Sequence, residues 1–321
     1  MRILVTGGAG FIGSHLCERL VAEGHIVTAL DNFSTGRASN LTSLLGSPNF
    51  NLIEGSILDE ANVFTLISRS DYVFHLAAAV GVFNIIENPL ASLLTNIRGT
   101  ENVLIAAHAS RKPVFITSSS EVYGKNTSDS LGENDDRILG SPIKLRWSYS
   151  EAKAIDESLA YAYYFEKQLE TRIVRFFNTV GPRQLGAYGM VVPRFIKAAL
   201  ANEKLTIYGH GDQTRCFAHI YDVIDAVMLI AFAENTVGKV VNIGNNFEIS
   251  INALAEKVIT ETQSSSKVVH ITYDQAYGHG FEDMARRVPN IDLINQLVGW
   301  KPKRNLTTII QDISMELKNP I

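Results

Sequence analysis

The chain opens with a short apolar run, Arg2 to Thr6, that stops at Gly7-Gly8-Ala9-Gly10-Phe11-Ile12-Gly13 and gives way to helical periodicity from Ser14 to Ala22. The pattern predicts a strand, a glycine turn and a helix. A second run, His25 to Leu30, ends in Asp31, and others follow at Phe50 to Glu54, Tyr72 to Leu76 and Val114 to Thr117. Helical stretches at Ala61 to Ser68 and Pro89 to Ala109 lie between them. Continuous apolar runs suit strands buried on both faces, and their alternation with helices predicts an α/β fold with a doubly wound parallel sheet. A helix from Tyr149 to Glu166 precedes a sixth strand, Arg172 to Phe177. Beyond Asn178 the alternation weakens into shorter pieces at Thr206 to Gly209 and Arg215 to Phe217, a helix from Val223 to Phe232 and a strand from Val240 to Ile243. The expected organisation is a larger domain of residues 1–177 plus about 217–245, and a smaller lobe of about 178–216 plus 246–321.

Composition narrows the class. With 321 residues, 46% hydrophobic and 19% charged, the chain can bury a large core, which excludes disorder and fibre. A net charge of -4 gives no overall attraction to nucleic acid or anionic membrane, so an anionic ligand has to be held by local groups. Cys17 and Cys216 supply neither a disulfide framework nor a metal ligand set. No apolar run is long enough to span a bilayer, and the N-terminus lacks the basic and apolar regions of a signal peptide, so a soluble cytoplasmic protein is the expectation.

The glycine turn carries the first chemistry. Glycines at 7, 10 and 13 let backbone N–H groups approach a pyrophosphate and let the helix pack closely on its strand, as in Rossmann-type domains. Asp31 follows Gly13 by 18 residues (31 − 13), close to the ~20 expected of a carboxylate on the adenosine ribose. That favours NAD, while nearby Arg37 keeps NADP open. In such sheets the ligand crevice lies at the carboxyl ends of the strands. His75-Leu76-Ala77-Ala78-Ala79 and Thr117-Ser118-Ser119-Ser120-Glu121 fall there and are read as a floor for the nicotinamide half of a cofactor, with His75 a packed strand-end residue. Tyr149 and Lys153 stand four apart on one helix face. A phenol titrates near ~10 in water, and a neighbouring ammonium favours the phenolate. Alone, the pair is an ordinary surface feature; its place after a glycine turn and alternating strands gives it meaning. Val122 to Trp147 turns polar and irregular, which suits a loop covering a site. The Tyr161-Ala162-Tyr163-Tyr164-Phe165 cluster reads as core or subunit interface.

Taken in order, Gly7 to Gly13, Asp31-Asn32-Phe33, His75 to Ala78, Ser119 to Gly124, Tyr149 to Lys153, Asn178 to Arg183, Thr214 to Phe217, Asn242-Ile243-Gly244 and Arg287 before Gly299-Trp300 resemble the extended short-chain dehydrogenase/reductases. The resemblance covers nearly the whole chain and points to the nucleotide-sugar epimerase, dehydratase and decarboxylase branch. It implies NAD held by Gly7, Gly10, Phe11, Ile12, Gly13, Asp31, Asn32, Leu76, Ala77, Ala78, Asn96, Tyr149 and Lys153. Tyr149 resembles the base that takes the proton from the sugar 4-hydroxyl, Lys153 the residue that holds the nicotinamide ribose and lowers the tyrosine pKa, and Ser119 a hydroxyl on the same oxygen. Asn178, Arg215 and Arg287 are similar to the groups that hold the diphosphate, with Val192 and Tyr208 bordering the base. Ser56 departs from the aspartate that often contacts adenine. Relatives pair their long helices, here Pro89 to Ala109 and Tyr149 to Glu166, across a two-fold axis, so a homodimer is implied.

The subtype turns on Glu121. Ser119-Ser120-Glu121-Val122-Tyr123-Gly124 resembles UDP-glucuronate decarboxylases, and Gly140 to Ile143 with Arg146-Trp147-Ser148-Tyr149 resembles enzymes acting on UDP-glucuronate. The resemblance therefore implies UDP-glucuronate decarboxylation to UDP-xylose, with Glu121 managing protons at C5. A UDP-sugar 4-epimerase and a 4,6-dehydratase share the first half-reaction and stay open. A non-enzymatic NAD sensor would be expected to lose the tyrosine or lysine, and both are present. A packing role for the Arg146-Trp147 pair stays open beside this resemblance.

Overall fold

The computed structural model describes all residues except 82–84, 86, 187–189, 278–283 and 319–321. Strands β1 (Arg2–Thr6), β2 (Ile26–Asp31), β3 (Phe50–Glu54), β4 (Tyr72–His75), β5 (Val114–Ser119), β6 (Thr171–Phe176) and β7 (Val240–Ile243) form one parallel sheet in the order β7-β6-β5-β4-β1-β2-β3. Period-two alternation explains why β1 is apolar throughout. Ile3 and Val5 join a cluster with Leu16 and Leu20 of α1 (Phe11–Ala22), whereas Leu4 joins Val103 and Leu104 on the opposite face. The chain runs outward from β1 to β3, then returns and runs the other way from β4. The crevice between the ends of β1 and β4 is therefore the topological switch point at which ligands bind such sheets.

Around the sheet stand α2 (Glu60–Ser68), α3 (Pro89–Ser110), α4 (Ser148–Lys167) and α6 (Ile220–Phe232), with α5 (Val191–Leu200), α7 (Ile251–Thr262) and α8 (Leu306–Lys318) further out. A separate hydrophobic cluster joins Val192, Phe195 and Ile196 of α5 to Leu254 and Val258 of α7 and Ile309, Ile310 and Ile313 of α8. Ile294 and Trp300 pack instead into the sheet's own cluster, and the Trp300 indole donates to the Asp222 carbonyl at 3.0 Å.

Two local differences from the sequence reading have clear causes. Helix α6 begins three residues before Val223, because the His219 ring accepts from the Tyr221 N–H at 3.1 Å and caps it. The stretch from Val122 to Trp147 is not only cover: short 3₁₀ turns at Ser120–Tyr123 and Leu145–Trp147 bury Arg146 and Trp147. Among the described residues no helix is long and apolar enough to cross a membrane.

Candidate active site

One long cavity follows the switch point and runs out to Val192 and Arg194 of α5. At its inner end the chain turns so tightly that only glycine fits. Gly7 has φ +70°, and a Cβ there would lie 2.8 Å from Ala77 N; one on Gly13 would lie 2.1 Å from Gly7 O. No side chain caps α1 at Gly10, so the first N–H groups of that helix stay available to a pyrophosphate. Asp31 sits beside this turn, accepting from Ala9 N at 2.9 Å and Phe33 N at 2.8 Å. Burial pushes its carboxyl above the usual range against the pull of those N–H groups. A 2′-phosphate beside this carboxylate would be repelled, and Arg37 is exposed and outside the cavity lining. These residues fit NAD.

Phe11, Ile12, Asn32, Leu76, Ala77 and Ala78 line the same end, where sequence reasoning placed the cofactor. Asn96 does not. Its carboxamide lies behind the loop, accepting from Ala79 N at 2.7 Å and donating to Ala79 O at 3.3 Å, so it pins the cofactor floor from the far side. Ser56, in the position of the family's adenine-contacting aspartate, accepts from Leu58 N at 3.1 Å.

The end of β5 sorts its hydroxyls by strand alternation. Ser118 borders the cavity, but its hydroxyl is spent on Glu157, to which it donates at 2.5 Å, and that carboxylate holds Arg175 through two bonds of 2.9 and 2.7 Å. Ser119 lines the cavity, accepts from Glu121 N at 3.2 Å and hydrogen-bonds Tyr149. Lys153 is nearly enclosed; its Nζ donates to Thr117 O at 3.0 Å and to Asp156 at 3.1 Å. The Tyr149 value corrects a simple expectation. Lys153 and Ser119 do pull the phenol down, but burial, Glu121 and Asp156 push harder the other way, and the net shift is upward. His75 is a packed residue as read: its nitrogens meet Thr6 Oγ1 at 2.8 Å and Thr100 Oγ1 at 3.0 Å, and burial pushes its pKa down to about 3.

Glu121 sits between two guanidiniums, with Arg146 and Arg287 each at 2.6 Å and side chains 8% and 9% exposed. Burial alone would raise its carboxyl, yet the two cations hold it far below the usual range. A carboxylate held this strongly is a poor proton acceptor, so the resting site does not present Glu121 as a C5 base. Arg287, expected to hold a diphosphate, lines the cavity, where its Nη1 donates to Glu121 at 2.6 Å and to Ser120 Oγ at 3.3 Å. Arg146 both stacks on Trp147 at 5.4 Å and pairs with Glu121.

Toward the smaller lobe, Asn178 donates to Cys216 O at 2.8 Å and Arg215 to Thr214 O at 2.7 Å, and both line the cavity with Val192 and Tyr208. Sequence reasoning missed Arg194. It also lines the cavity, lies over the Tyr208 ring at 4.4 Å and donates to Thr206 O at 2.8 Å. The available signal was an arginine set between Pro193 and Phe195 in the first turn of a mostly apolar helix. Among the described residues no cluster could hold a metal ion.

A glycine-turn Rossmann sheet with Tyr149, Lys153 and Ser119 at its switch point defines an extended short-chain dehydrogenase/reductase with NAD as cofactor. Residues 4–313 match the GDP-mannose 4,6 dehydratase family, and the chain belongs to it. It is 43% identical over 302 residues to UDP-N-acetyl-alpha-D-glucosaminuronate decarboxylase of Bacillus cytotoxicus, covering 94% of this chain and 92% of that one. It is 37% identical to UDP-glucuronic acid decarboxylase 1 of Xenopus tropicalis, covering 94% of this chain and 68% of that one. Among solved structures, UDP-glucuronic acid 4-epimerase from Bacillus cereus, in complex with UDP-glucuronic acid and NAD, superposes with a TM-score of 0.90 at 28% identity over 100% of both chains.

Proposed function

We propose that the chain decarboxylates a UDP-linked uronate, with UDP-glucuronate giving UDP-xylose, through transient oxidation at C4. The carrying observation is the Arg146–Glu121–Arg287 group beside Tyr149 and Ser119. Two cations and one anion leave one positive charge among side chains only 8–14% exposed. A neutral hexose offers nothing to match it; a uronate carboxylate does. Because Glu121 shares both guanidiniums, neither is wholly committed to the substrate carboxylate, so binding opposes CO2 loss less than a dedicated ion pair would.

NAD supplies acceptance of the C4 hydride and its later return. Tyr149 takes the 4-hydroxyl proton as hydride leaves, and Ser119 donates to the same oxygen. The resulting 4-keto uronate is a β-keto acid. Its C5–carboxylate bond breaks, CO2 departs, and the electron pair moves into the C4 carbonyl, whose developing negative charge lies against Tyr149 and Ser119. The enolate electron pair then takes a proton from solvent at C5, and as hydride returns to C4 Tyr149 gives its proton back to the 4-oxygen. Arg215, Asn178 and Arg194 are assigned to the diphosphate and base, with Val192 and Tyr208 walling the base.

A second reading concerns the sugar's C2 substituent. The 43% identical relative is a decarboxylase of UDP-N-acetyl-alpha-D-glucosaminuronate, so that acetamido uronate belongs in the same assay. Mass spectrometry of reactions with UDP-glucuronate, UDP-N-acetylglucosaminuronate and UDP-glucose is expected to show loss of one CO2 from a uronate, without net NAD consumption. An isomeric product seen by NMR would hand the reaction to the 4-epimerase reading.

We also propose a homodimer and a cytoplasmic location. Helices α3 and α4 pack side by side, and their outer faces expose Leu90, Ile105, Ile155, Tyr161 and Phe165, the last at 69%. Exposed apolar side chains on two neighbouring helices favour cover by a second copy of the same helices. Sedimentation is expected to give twice the 35.3 kDa chain mass; a single-chain species at micromolar concentration would count against the dimer.

A further inference from the structure

Lys153 does not meet the cavity as a bare cation. Asp156, one turn further along α4 and without exposed side-chain surface, lies 3.1 Å from its Nζ. Behind Asp156 stands the Thr100 hydroxyl, which meets His75; His75 in turn meets Thr6, and Thr6 accepts from Ala77 N at 3.2 Å. The ion pair thus heads a buried polar chain that crosses under the strands to the cofactor floor. Thr6, His75, Thr100 and Asp156 are all 0–1% exposed.

The ordinary explanation of Asp156 is that a buried ammonium requires a counter-ion. That explanation has a chemical consequence. The carboxylate cancels the positive charge on which acidification of Tyr149 depends. Other charges facing the pair are already committed. Glu157 is held bidentately by Arg175, Glu121 is shared by Arg146 and Arg287, and His75 is buried and uncharged. Asp156 is the carboxylate that acts directly on Lys153.

We propose that Asp156 is a positioning residue that keeps Lys153 electrostatically neutralised in the resting enzyme, so that Tyr149 remains a phenol until the positive nicotinamide ring is in place. The proposal rests on the reading of Tyr149 as the C4 base. It makes base strength conditional on the oxidised cofactor, so the site draws no proton from a bound sugar when no hydride acceptor is present. The geometry agrees: Thr117 O and Asp156 take two of the three Lys153 N–H donors, leaving one for a ribose hydroxyl.

Asp156→Asn tests this directly, since it keeps the size and an acceptor for Lys153 while removing the charge. The acid limb of the kcat profile is expected to move down by about one pH unit, the scale of one unit charge a few ångströms further off in a protein interior. Tyrosinate absorbance of the substrate-free protein, isolated by subtracting the corresponding Tyr149→Phe form, reads the same shift without turnover. It therefore stands even if the uronate reading fails. In the unmodified protein this titration should fall when NAD is added; in Asp156→Asn it should start low. Asp156→Glu, which restores the charge, should return the profile toward the original. A folded Asp156→Asn whose tyrosinate titration is unchanged or raised overturns the proposal. Asp156→Ser, with room for a water, replaces Asp156→Asn if the latter does not fold, and if neither neutral variant folds the aspartate is a structural counter-ion and the proposal is lost.

Discussion

Tyr149→Phe is expected to lower turnover by about 10²–10⁴-fold, the usual loss for a positioned acid–base group, while leaving KM and the unfolding midpoint nearly unchanged. The ring stays in place on α4, and only an oxygen hydrogen-bonded to Ser119 is removed. With no base, the 4-hydroxyl keeps its proton and hydride cannot leave C4. Even one turnover should therefore produce almost no reduced nicotinamide, followed by absorbance. Turnover within about tenfold of the unmodified protein would show that another group takes the proton.

Glu121→Ala should damage both stability and the second half of the reaction. It leaves two guanidiniums buried beside each other, and loss of one partner from a buried ion pair typically costs about 3–5 kcal/mol. The denaturant midpoint should fall accordingly, with Glu121→Gln losing somewhat less because the amide still accepts a hydrogen bond. The carboxyl's folded value is depressed, so its stabilisation is present above the unfolded carboxylate pKa and is lost only as pH falls through the folded value, in strong acid. In catalysis the pocket that orients the uronate is disrupted while Tyr149, Lys153 and Ser119 remain. Product should therefore fall more steeply than C4 oxidation, and a 4-keto sugar with reduced nicotinamide should accumulate. A variant that turns over like the unmodified protein would remove the main ground for preferring decarboxylation to 4-epimerisation.

Much of this site was legible because its signals are local. The strand, glycine turn and helix from Arg2 to Ala22, the carboxylate at Asp31 and the Tyr149–Lys153 spacing are set by backbone sterics, strand alternation and helical pitch, which act over a few residues. The cavity accordingly holds Gly7, Asp31, Ser119, Tyr149 and Lys153 together. Helix α6 was placed three residues late because a histidine cap gives a weak sequence signal.

What only folding decided is which charges meet. Glu121 and Arg287 lie 166 positions apart, and their pairing depends on how the segment after the smaller lobe returns to the end of β5. The same holds for Arg194 over Tyr208 and for Asn96 behind the Ala79 loop. Asp156 marks the boundary between the two. Its spacing from Lys153 could be read directly, but not its complete burial against Thr100 and the strand end, which turns an ordinary helical pair into a control on Tyr149. Local propensity specifies which face of an element a side chain occupies. Its neighbours and local dielectric are set by packing among distant segments, and these govern the charges at the centre of this site.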